Sequence, residues 1–455
     1  MPFENFNPFS NLINHITMPG HQKGKLIAEG KTKKIWENKN DPKTVIVEYK
    51  DDITAFNDPK YTKKFKSKGR NSNLTTCRVF ELLKKAGIPT HFVRQISEVE
   101  FVAKPCRMIL VEAVPRRYAF GSYLKRNPHM TVPAGEPPHY FSRIANEYFL
   151  KTTKGGVVID GEKLIEGLTS EQDDPVILNP KEENWKPLFA WKPVWDEKSD
   201  LKRTISRKKV LLGESGRLEK MDEIMKKTFL VLEGAFMQRN FRILDLKIEF
   251  GITEDGELVV ADVIDNDSWR LRDPEWKEFS KQAFRDGEDL EMIEPKYQLV
   301  ADLTQDFPKI SDQALVLWTG SEKDEMPEVP KIPGVKVVEK IISGHKKTAL
   351  CLEELKRLER EFPAGGVIIA KVGMSNGLGP ILAAHTHWPV ISVPATIKTF
   401  PGDAWSSLRM PSDLPMGTIE KDSNAVDFAL NILAKKNPIA YMIRRFKMEE
   451  FDGEE

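Results

Sequence analysis

The sequence predicts two successive units of different class. An α+β unit spans residues 25–300, and an α/β unit built on a three-layer, Rossmann-like parallel sheet spans 313–446. Three observations predict this. The first unit opens and closes on strand–turn–strand patterns, at Lys25–Trp36 and Ile243–Leu271, with amphipathic helices between them. The last third instead alternates apolar runs (Ala314–Gly320, Val335–Ile342, Val367–Ala370, Pro389–Val393) with helical segments at Thr348–Phe362 and Ala425–Leu433. Uninterrupted apolar runs mark strands covered on both faces, and their alternation with helices marks a parallel sheet. Around residues 300–312 the first pattern gives way to the second.

Composition narrows the function classes. A chain of 455 residues has material for two or three cores. Its 69 Lys+Arg against 68 Asp+Glu leave a formal charge of +1, without the basic excess of a nucleic-acid or membrane-surface binder. No apolar run approaches the ~18 residues of a membrane span. Cys77, Cys106 and Cys351 have no metal-ligand spacing and suit a reducing compartment. Met1–Phe6 lacks a basic stretch followed by an apolar one, so no secretory signal is expected and the expected location is the cytosol.

In chain order, residues 1–24 read as a loose Asn-, Pro- and His-rich extension. At Lys25–Trp36, Gly30 allows backbone N–H groups to approach a phosphate, and Lys31 and Lys33 supply charge on either side. The spacing of a Walker loop is absent, and on residues alone a plain basic hairpin is the commoner explanation. Val45–Tyr49 is a strand, Lys66–Asn73 a polar loop, and Leu74–Ala86 a helix with Gly87 just past its end. His91–Arg94 and Val99–Ala103 are paired strands. Met108–Arg126 is an apolar strand ending in Arg116, Arg117, Gly121, Ser122, Lys125 and Arg126, a set that suits a phosphorylated or carboxylated ligand. A basic surface loop is the alternative there. Pro133–Tyr148 reads as a connection, residues 180–212 with Trp185, Trp191 and Trp195 as a surface insertion, and Leu218–Met237 as a core helix.

The two stretches Ile243–Gly251 and Val259–Leu271 carry the densest chemistry. Asp245, Lys247 and Glu249 stand two apart, so a strand would put all three on one face. Thr253–Gly256 is a hairpin turn, which folds that face back beside Asp262. Three carboxylates and one lysine suit a magnesium-bound nucleotide: oxygen ligands for the metal and a cation for a phosphate; a solvated hairpin face laced with salt bridges is the alternative. In the second unit, ligands belong at the strand C-terminal ends, which carry Gly320-Ser321, Ser343–Lys346 and Ser375-Asn376.

These motifs resemble SAICAR synthetase, in the animal form fused to AIR carboxylase. The resemblance rests on Gly30-Lys31-x-Lys33, Asp52, Lys68-Gly69 with Asn73, and Glu112-x-Val114-x-Arg116 followed by Gly121-Ser122. It continues through Asp174-Pro175, Asp245-x-Lys247-x-Glu249-Phe250-Gly251, Asp262–Leu271 and Lys281–Arg285. It implies a SAICAR-synthetase-like ATP-binding fold that joins CAIR to L-aspartate and splits ATP to ADP and phosphate. Lys31, Lys33, Glu112 and Glu249 would bind ATP, Glu249 and Asp262 would hold Mg²⁺, and Asp262 and Lys247 would be catalytic. Asp52, Lys68, Asn73, Arg116, Ser122, Asp174, Asp267, Arg270 and Arg285 would bind CAIR and aspartate. Two positions depart from the family pattern, Leu110 for Pro and Phe120 for Thr or Ala before Gly121.

In the second unit Ser375–Pro380, Pro389–Ser392 and Asp403–Pro411 carry the resemblance to AIR carboxylase. It implies carboxylation of AIR with CO2, without ATP or biotin. His345 would be the acid/base and Lys346 the carboxylate anchor, with Ser321, Asp324, Ser343 and Ser375 holding AIR and CO2. Lys323, Gly344 and Met374 replace the family's Ser, Ala and Arg, and the Pro-Asp after Ser-x-His is missing. The family assembles as an octamer around these domains. Here the segment between Asp324 and Ser343, with Pro327, Pro330 and Pro333, is too short and Pro-rich for the helix that should open the domain. Three readings stay open on sequence: a bifunctional enzyme, a ligase with a retired carboxylase domain, and a nucleotide-binding regulatory protein.

Overall fold

The computed structural model describes residues 21–54, 62–133, 135–152, 156–165, 174–188, 204–213 and 216–451. At its N-terminal end lies an antiparallel sheet of β1 (Lys23–Glu29), β2 (Lys33–Asn38), β3 (Val45–Tyr49), β4 (Phe92–Gln95) and β5 (Glu100–Ala103), in the order β1-β2-β3-β5-β4. The Gly30 N–H donates to the Lys33 carbonyl at 2.9 Å and closes the β1–β2 turn. Helix α1 (Lys68–Lys85) packs Cys77, Phe80 and Leu83 into the core, and Gly87 follows it at φ +72°. It starts at Lys68, where a polar loop is expected. Its first turns bury Lys68, Asn71, Ser72 and Asn73, which have no apolar period to announce a helix. Ion pairs from Lys68 to Asp265 and Asp267, far along the chain, anchor that turn.

A second sheet is centred on β6 (Cys106–Tyr118). It pairs with β7 (Tyr140–Leu150) on one side and with both β8 (Arg242–Leu246) and β9 (Ile248–Thr253) on the other. β10 (Leu258–Ala261) pairs with β9, and β11 (Trp269–Arg272) pairs with β8. β7 occupies much of the expected connection at Pro133–Tyr148. Helix α2 (Ser122–Arg126) follows β6, and α3 (Arg217–Met237) packs on β6 and β8. Trp185 is 0 % exposed within the core, with Nε1 donating to the Pro180 carbonyl at 2.9 Å, so that part of the expected surface insertion is interior. Trp191 and Trp195 lie outside the described residues. Helix α4 (Leu290–Thr304) contains Pro295, which removes a backbone donor and hides the helix from a sequence reading.

The last third folds into a parallel sheet of β12 (Gln313–Thr319), β13 (Val335–Ile341), β14 (Gly366–Val372), β15 (Val390–Pro394) and β16 (Met416–Thr418), in the order β13-β12-β14-β15-β16. Helices α5 (Thr348–Glu361) and α6 (Leu378–Ala383) contribute Cys351, Leu355, Leu358, Leu378 and Leu382 to the cluster holding Ala314, Val316 and Trp318. Helices α7 (Asp422–Leu433) and α8 (Pro438–Phe451) belong to the other cluster, with Leu315, Leu317, Val367 and Ile369. Covering on both faces holds for β12, β14 and β15 but not for β13, where Val337 and Ile341 are 42 % and 52 % exposed. No helix forms between β12 and β13; the Pro-rich segment there instead sends Ile332, Met326 and Val329 into the core.

That core runs through both units. Helix α8 packs along α3, with Tyr441 against Gly234. Arg117, on β6, donates from Nε to Glu233 of α3 at 2.8 Å and from Nη2 to Glu449 of α8 at 3.3 Å. The other Glu449 oxygen accepts the Ile144 N–H at 2.8 Å, and Glu449 is buried. Removing one partner of a buried charged network leaves the others uncompensated. Glu449→Leu is therefore expected to cost about 3 kcal/mol in urea unfolding followed by tryptophan fluorescence, with the exposed neighbour substitution Glu450→Ala near neutral.

Candidate active site

Strand β6 distributes its side chains by alternation. Glu112 and Arg116 share one face, and Arg117 points to the other with Ala113. Two charged clusters form along the Glu112/Arg116 face.

The first cluster lies between the N-terminal sheet and the β9–β10 hairpin. Register places Glu249 opposite Glu112 on one side and Ala261 on the other. Lys247 Nζ bridges Glu249 Oε1 at 2.6 Å and Glu112 Oε1 at 3.4 Å, and Lys151 binds the second Glu249 oxygen. Lys33 pairs with Asp262, which follows β10 at φ +60°. A non-glycine residue in that region is uncommon, and Asp tolerates it better than most. Burial pushes Lys33 down to about 7, with Lys247 and Lys151 adding to the shift and Glu249 opposing it. Burial also works against the charge on Glu249, yet Lys247, Lys151 and Lys33 hold it well below the carboxylate range. Burial raises Glu112. Lys247 stays raised despite its burial because Glu112 and Glu249 flank it. Lys31 is exposed in the β1–β2 turn. Asp174 accepts from the Thr152 N–H at 2.9 Å and its hydroxyl at 2.6 Å, next to Lys151.

The second cluster lies further along β6. Arg116 donates from Nε to Glu147 at 2.6 Å and from Nη1 to Asp245, and Arg270 donates to the same Asp245 oxygen at 2.6 Å. Arg126 binds the other Glu147 oxygen. Arg285 is held low by burial and by Arg270. Asp267 accepts from Lys281 at 2.9 Å, from Lys68 at 3.4 Å and from the Tyr297 hydroxyl. Burial opposes its charge, but Lys281 and Lys68 hold it well below the usual range. Ser122 opens α2 directly after Gly121. Asp52 pairs with Lys50 at 3.2 Å and Lys64 at 3.4 Å. The Asn73 amide donates to the Ser97 carbonyl at 3.1 Å, tying α1 to the β4–β5 turn.

The expected single face of Asp245, Lys247 and Glu249 does not form. The chain breaks at Lys247 between β8 and β9, and the β8–β11 register shifts between Ile243 and Asp245. Asp245 therefore joins the arginines, while Lys247 and Glu249 join Lys33 and Asp262. Lys151, Glu147 and Tyr297 are members that sequence reading missed. Glu147 lies in β7, Lys151 just after its end and Tyr297 in α4, none with a motif around it, so only tertiary packing reveals them.

In the second unit the expected residues stand in the loops after β12, β13 and β14. Ser321 Oγ accepts the Lys323 N–H at 3.2 Å, and Ser343 Oγ accepts the Lys346 N–H at 3.4 Å. Burial raises Asp324, with Lys371 opposing the shift. His345 and Lys346 are exposed, and the His345 ring packs over Gly377, next to Ser375 and Asn376. A Cβ at Gly344 would lie 2.7 Å from the Leu378 Cα, so this loop approaches α6 too closely for alanine. Asn376 is structural: its amide binds Ser392 at 2.7 Å and Ser407 at 3.0 Å. Met374 sits exposed at φ +61°.

The SAICAR synthetase family model matches residues 26–172 and 178–302, and the AIR carboxylase family model matches 322–451. The probable multifunctional protein ADE2 of Caenorhabditis elegans is 34% identical, over 91% of both chains. The chain belongs to the family of fused SAICAR synthetase and AIR carboxylase proteins. The Homo sapiens bifunctional phosphoribosylaminoimidazole carboxylase/phosphoribosylaminoimidazole succinocarboxamide synthetase is 30% identical over 92% of each chain. A crystal structure of phosphoribosylaminoimidazole-succinocarboxamide synthase from Ehrlichia chaffeensis aligns at 25% identity and TM-score 0.46, covering 62% of this chain and 98% of that one.

In this member of the SAICAR synthetase family, a buried histidine outside the two clusters sets an acid sensitivity. His91 is buried beside Phe80 and Phe101, and burial, with Lys33 nearby, pushes it down to about 3 from 6.5. The unfolded chain therefore takes up a proton that the folded chain excludes until about pH 3. The stabilisation is complete above about pH 6.5 and is lost as pH falls toward 3. His91→Phe is expected to flatten the pH dependence of the urea midpoint across that window; an unchanged slope would contradict it.

Proposed function

We propose that the chain carries two linked activities of purine nucleotide synthesis. The second unit carboxylates AIR to CAIR, and the first ligates CAIR to L-aspartate with ATP, giving SAICAR, ADP and phosphate. The observation that carries the ligase reading is the juxtaposition on β6 of a lysine–carboxylate cluster and an arginine cluster. ATP needs the first, and an anionic acceptor needs the second.

In this reading Lys31 and Lys33 hold the phosphates of ATP. A polyphosphate placed beside Lys33 raises its proton affinity and keeps it charged. Glu249 and Asp262 are hard oxygen donors; Lys33 pairs with Asp262 and feels the charge of Glu249, and this set fits Mg²⁺ held by one or two carboxylates together with substrate phosphates. Among the described residues no group of three or more His, Cys, Asp or Glu side chains forms a metal cage, which suits an ion shared with the nucleotide. When bound, the ion neutralises charge on the phosphoryl group in transfer. Arg116, Ser122, Arg270 and Arg285 hold CAIR so that its carboxylate oxygen attacks the γ-phosphorus and ADP leaves. The aspartate amine then forms the C–N bond, phosphate leaves with the C–O bond, and the amine loses a proton. Lys68, Asp174 and Asp267 order the same cleft. Positioning and charge neutralisation supply most of the rate, as in other phosphoryl transfers.

At the second site His345 exchanges a proton at the imidazole carbon of AIR while Lys346 attracts the carboxylate, with neither ATP nor biotin. Ser321 and Asp324 hold the ribose phosphate, with Ser343 and Ser375 beside them. A second reading, a ligase carrying a retired carboxylase domain, is favoured by Met374, which is apolar and exposed where the family resemblance has an arginine. The free thiols of Cys77, Cys106 and Cys351 suit work in the reducing cytosol.

Asp262→Asn is expected to lower ligation at least about a hundredfold with an unchanged urea midpoint. The readout is ADP release that depends on both CAIR and aspartate; that dual dependence in the parent protein also separates the ligase from a regulatory nucleotide binder. Substantial turnover by the folded variant would refute the assignment. His345→Ala is expected to abolish CAIR formation from AIR and bicarbonate while sparing ligation of added CAIR. If the parent protein ligates but forms no CAIR, the second reading holds.

A further inference from the structure

Phe120 stands just before Gly121-Ser122, in the loop that ends β6, and the ligase reading leaves it without a role. Its surroundings are those of a platform. The ring centroid lies 5.5 Å from Arg270 Cζ and 5.0 Å from Arg272 Cζ. The Phe120 carbonyl accepts from Arg116 Nη1 at 3.5 Å. Gly121, at φ +60°, lets the Arg270 guanidinium lie directly against the backbone, since a Cβ there would sit 2.5 Å from Nη2. Asp245 holds one edge of the same guanidinium at 2.6 Å, and Arg270 Nε is buried without a hydrogen-bond partner among the described residues.

We propose that Phe120 is a positioning residue for the anionic nucleotide substrate: its ring fixes the planes of Arg270 and Arg272 before CAIR arrives. This rests on the ligase reading above. The physical basis is the negative face of the ring, which attracts a cation stacked on it. Two guanidinium groups share this one ring, and each repels the other; burial and Arg270 together push Arg272 down to about 10. A carboxylate already holds one edge of each guanidinium, Asp245 for Arg270 and Glu278 for Arg272, and the aromatic face attracts their planes without adding a further negative charge to compete with the substrate. Arginine recognises phosphate and carboxylate through a planar fork, so the orientation of the plane decides the strength of the contact. A plane set in advance also reduces the ordering cost of binding. A small residue at this position, such as the Thr or Ala of the family pattern, offers no such face.

The test uses the full-length protein with phenylalanine, mono-, di- and trifluorophenylalanine at position 120, a series that keeps the shape of the ring and drains its negative face. The expected result is a stepwise rise in the KM for CAIR, and in its Kd by calorimetry without ATP. The rise should reach roughly tenfold for the trifluoro ring, equal to about 1.4 kcal/mol. kcat and the KM for ATP should stay within about twofold, because the first cluster is untouched. Phe120→Leu should match the trifluoro protein, and Phe120→Trp should bind as the parent does. A flat series, with CAIR binding unchanged from zero to three fluorines, would overturn the proposal and reduce Phe120 to a space-filling side chain. If the parent protein neither binds CAIR nor forms SAICAR, the ligase reading falls, and this assignment falls with it.

Discussion

Burial of opposite charges along a single strand is the constraint on which the rest of the first unit depends. Strand β6 carries Glu112 and Arg116 on one face and Arg117 on the other. A buried ion is tolerable only when its partners are in place, so each of these side chains dictates its neighbours. Glu112 draws in Lys247, Arg116 draws in Asp245 and Glu147, and Arg117 draws in Glu233 and Glu449. The strand therefore sets the spacing between the two clusters and anchors the C-terminal helix behind them.

That anchoring makes the two units one body. Helix α8 belongs in sequence to the second unit, yet its Tyr441 and Glu449 complete the packing behind strand β6 of the first. The shared apolar core says the same in a different currency of interaction. By contrast, the strand-end loops of the second unit leave His345 and Lys346 exposed, and the edge strand β13 keeps apolar side chains open to solvent where no helix covers it.

Legibility in the sequence followed the range of the interaction. Hairpins and helices with a clear period, such as Lys25–Trp36, Leu218–Met237 and the buried strands of the last third, depend on local patterns and appear in the structure near their expected bounds. The start of α1 at Lys68, the strand at Tyr140–Leu150 and the Pro295 helix did not appear in the pattern. Polar, proline-interrupted or half-exposed segments take their conformation from distant partners. The site residues divide the same way. The motif residues Lys33, Glu249, Asp262, Arg116 and Arg270 were readable as chemistry, whereas Lys151, Glu147 and Tyr297 were visible only once the strands were paired.

By itself the sequence determined the two classes of unit, their order along the chain, the family and most of the charged side chains available to a site, because all of these are carried by local period and motif. Only the tertiary structure decided how those charges were divided. A break at Lys247 and a shift in the β8–β11 register sent Asp245 to the arginines and Glu249 to the lysines, although the three residues alternate perfectly in sequence. The physical reason is that pairing between strands far apart in the chain, together with the cost of leaving a buried charge unpaired, sets the register, and neither is written in the local pattern.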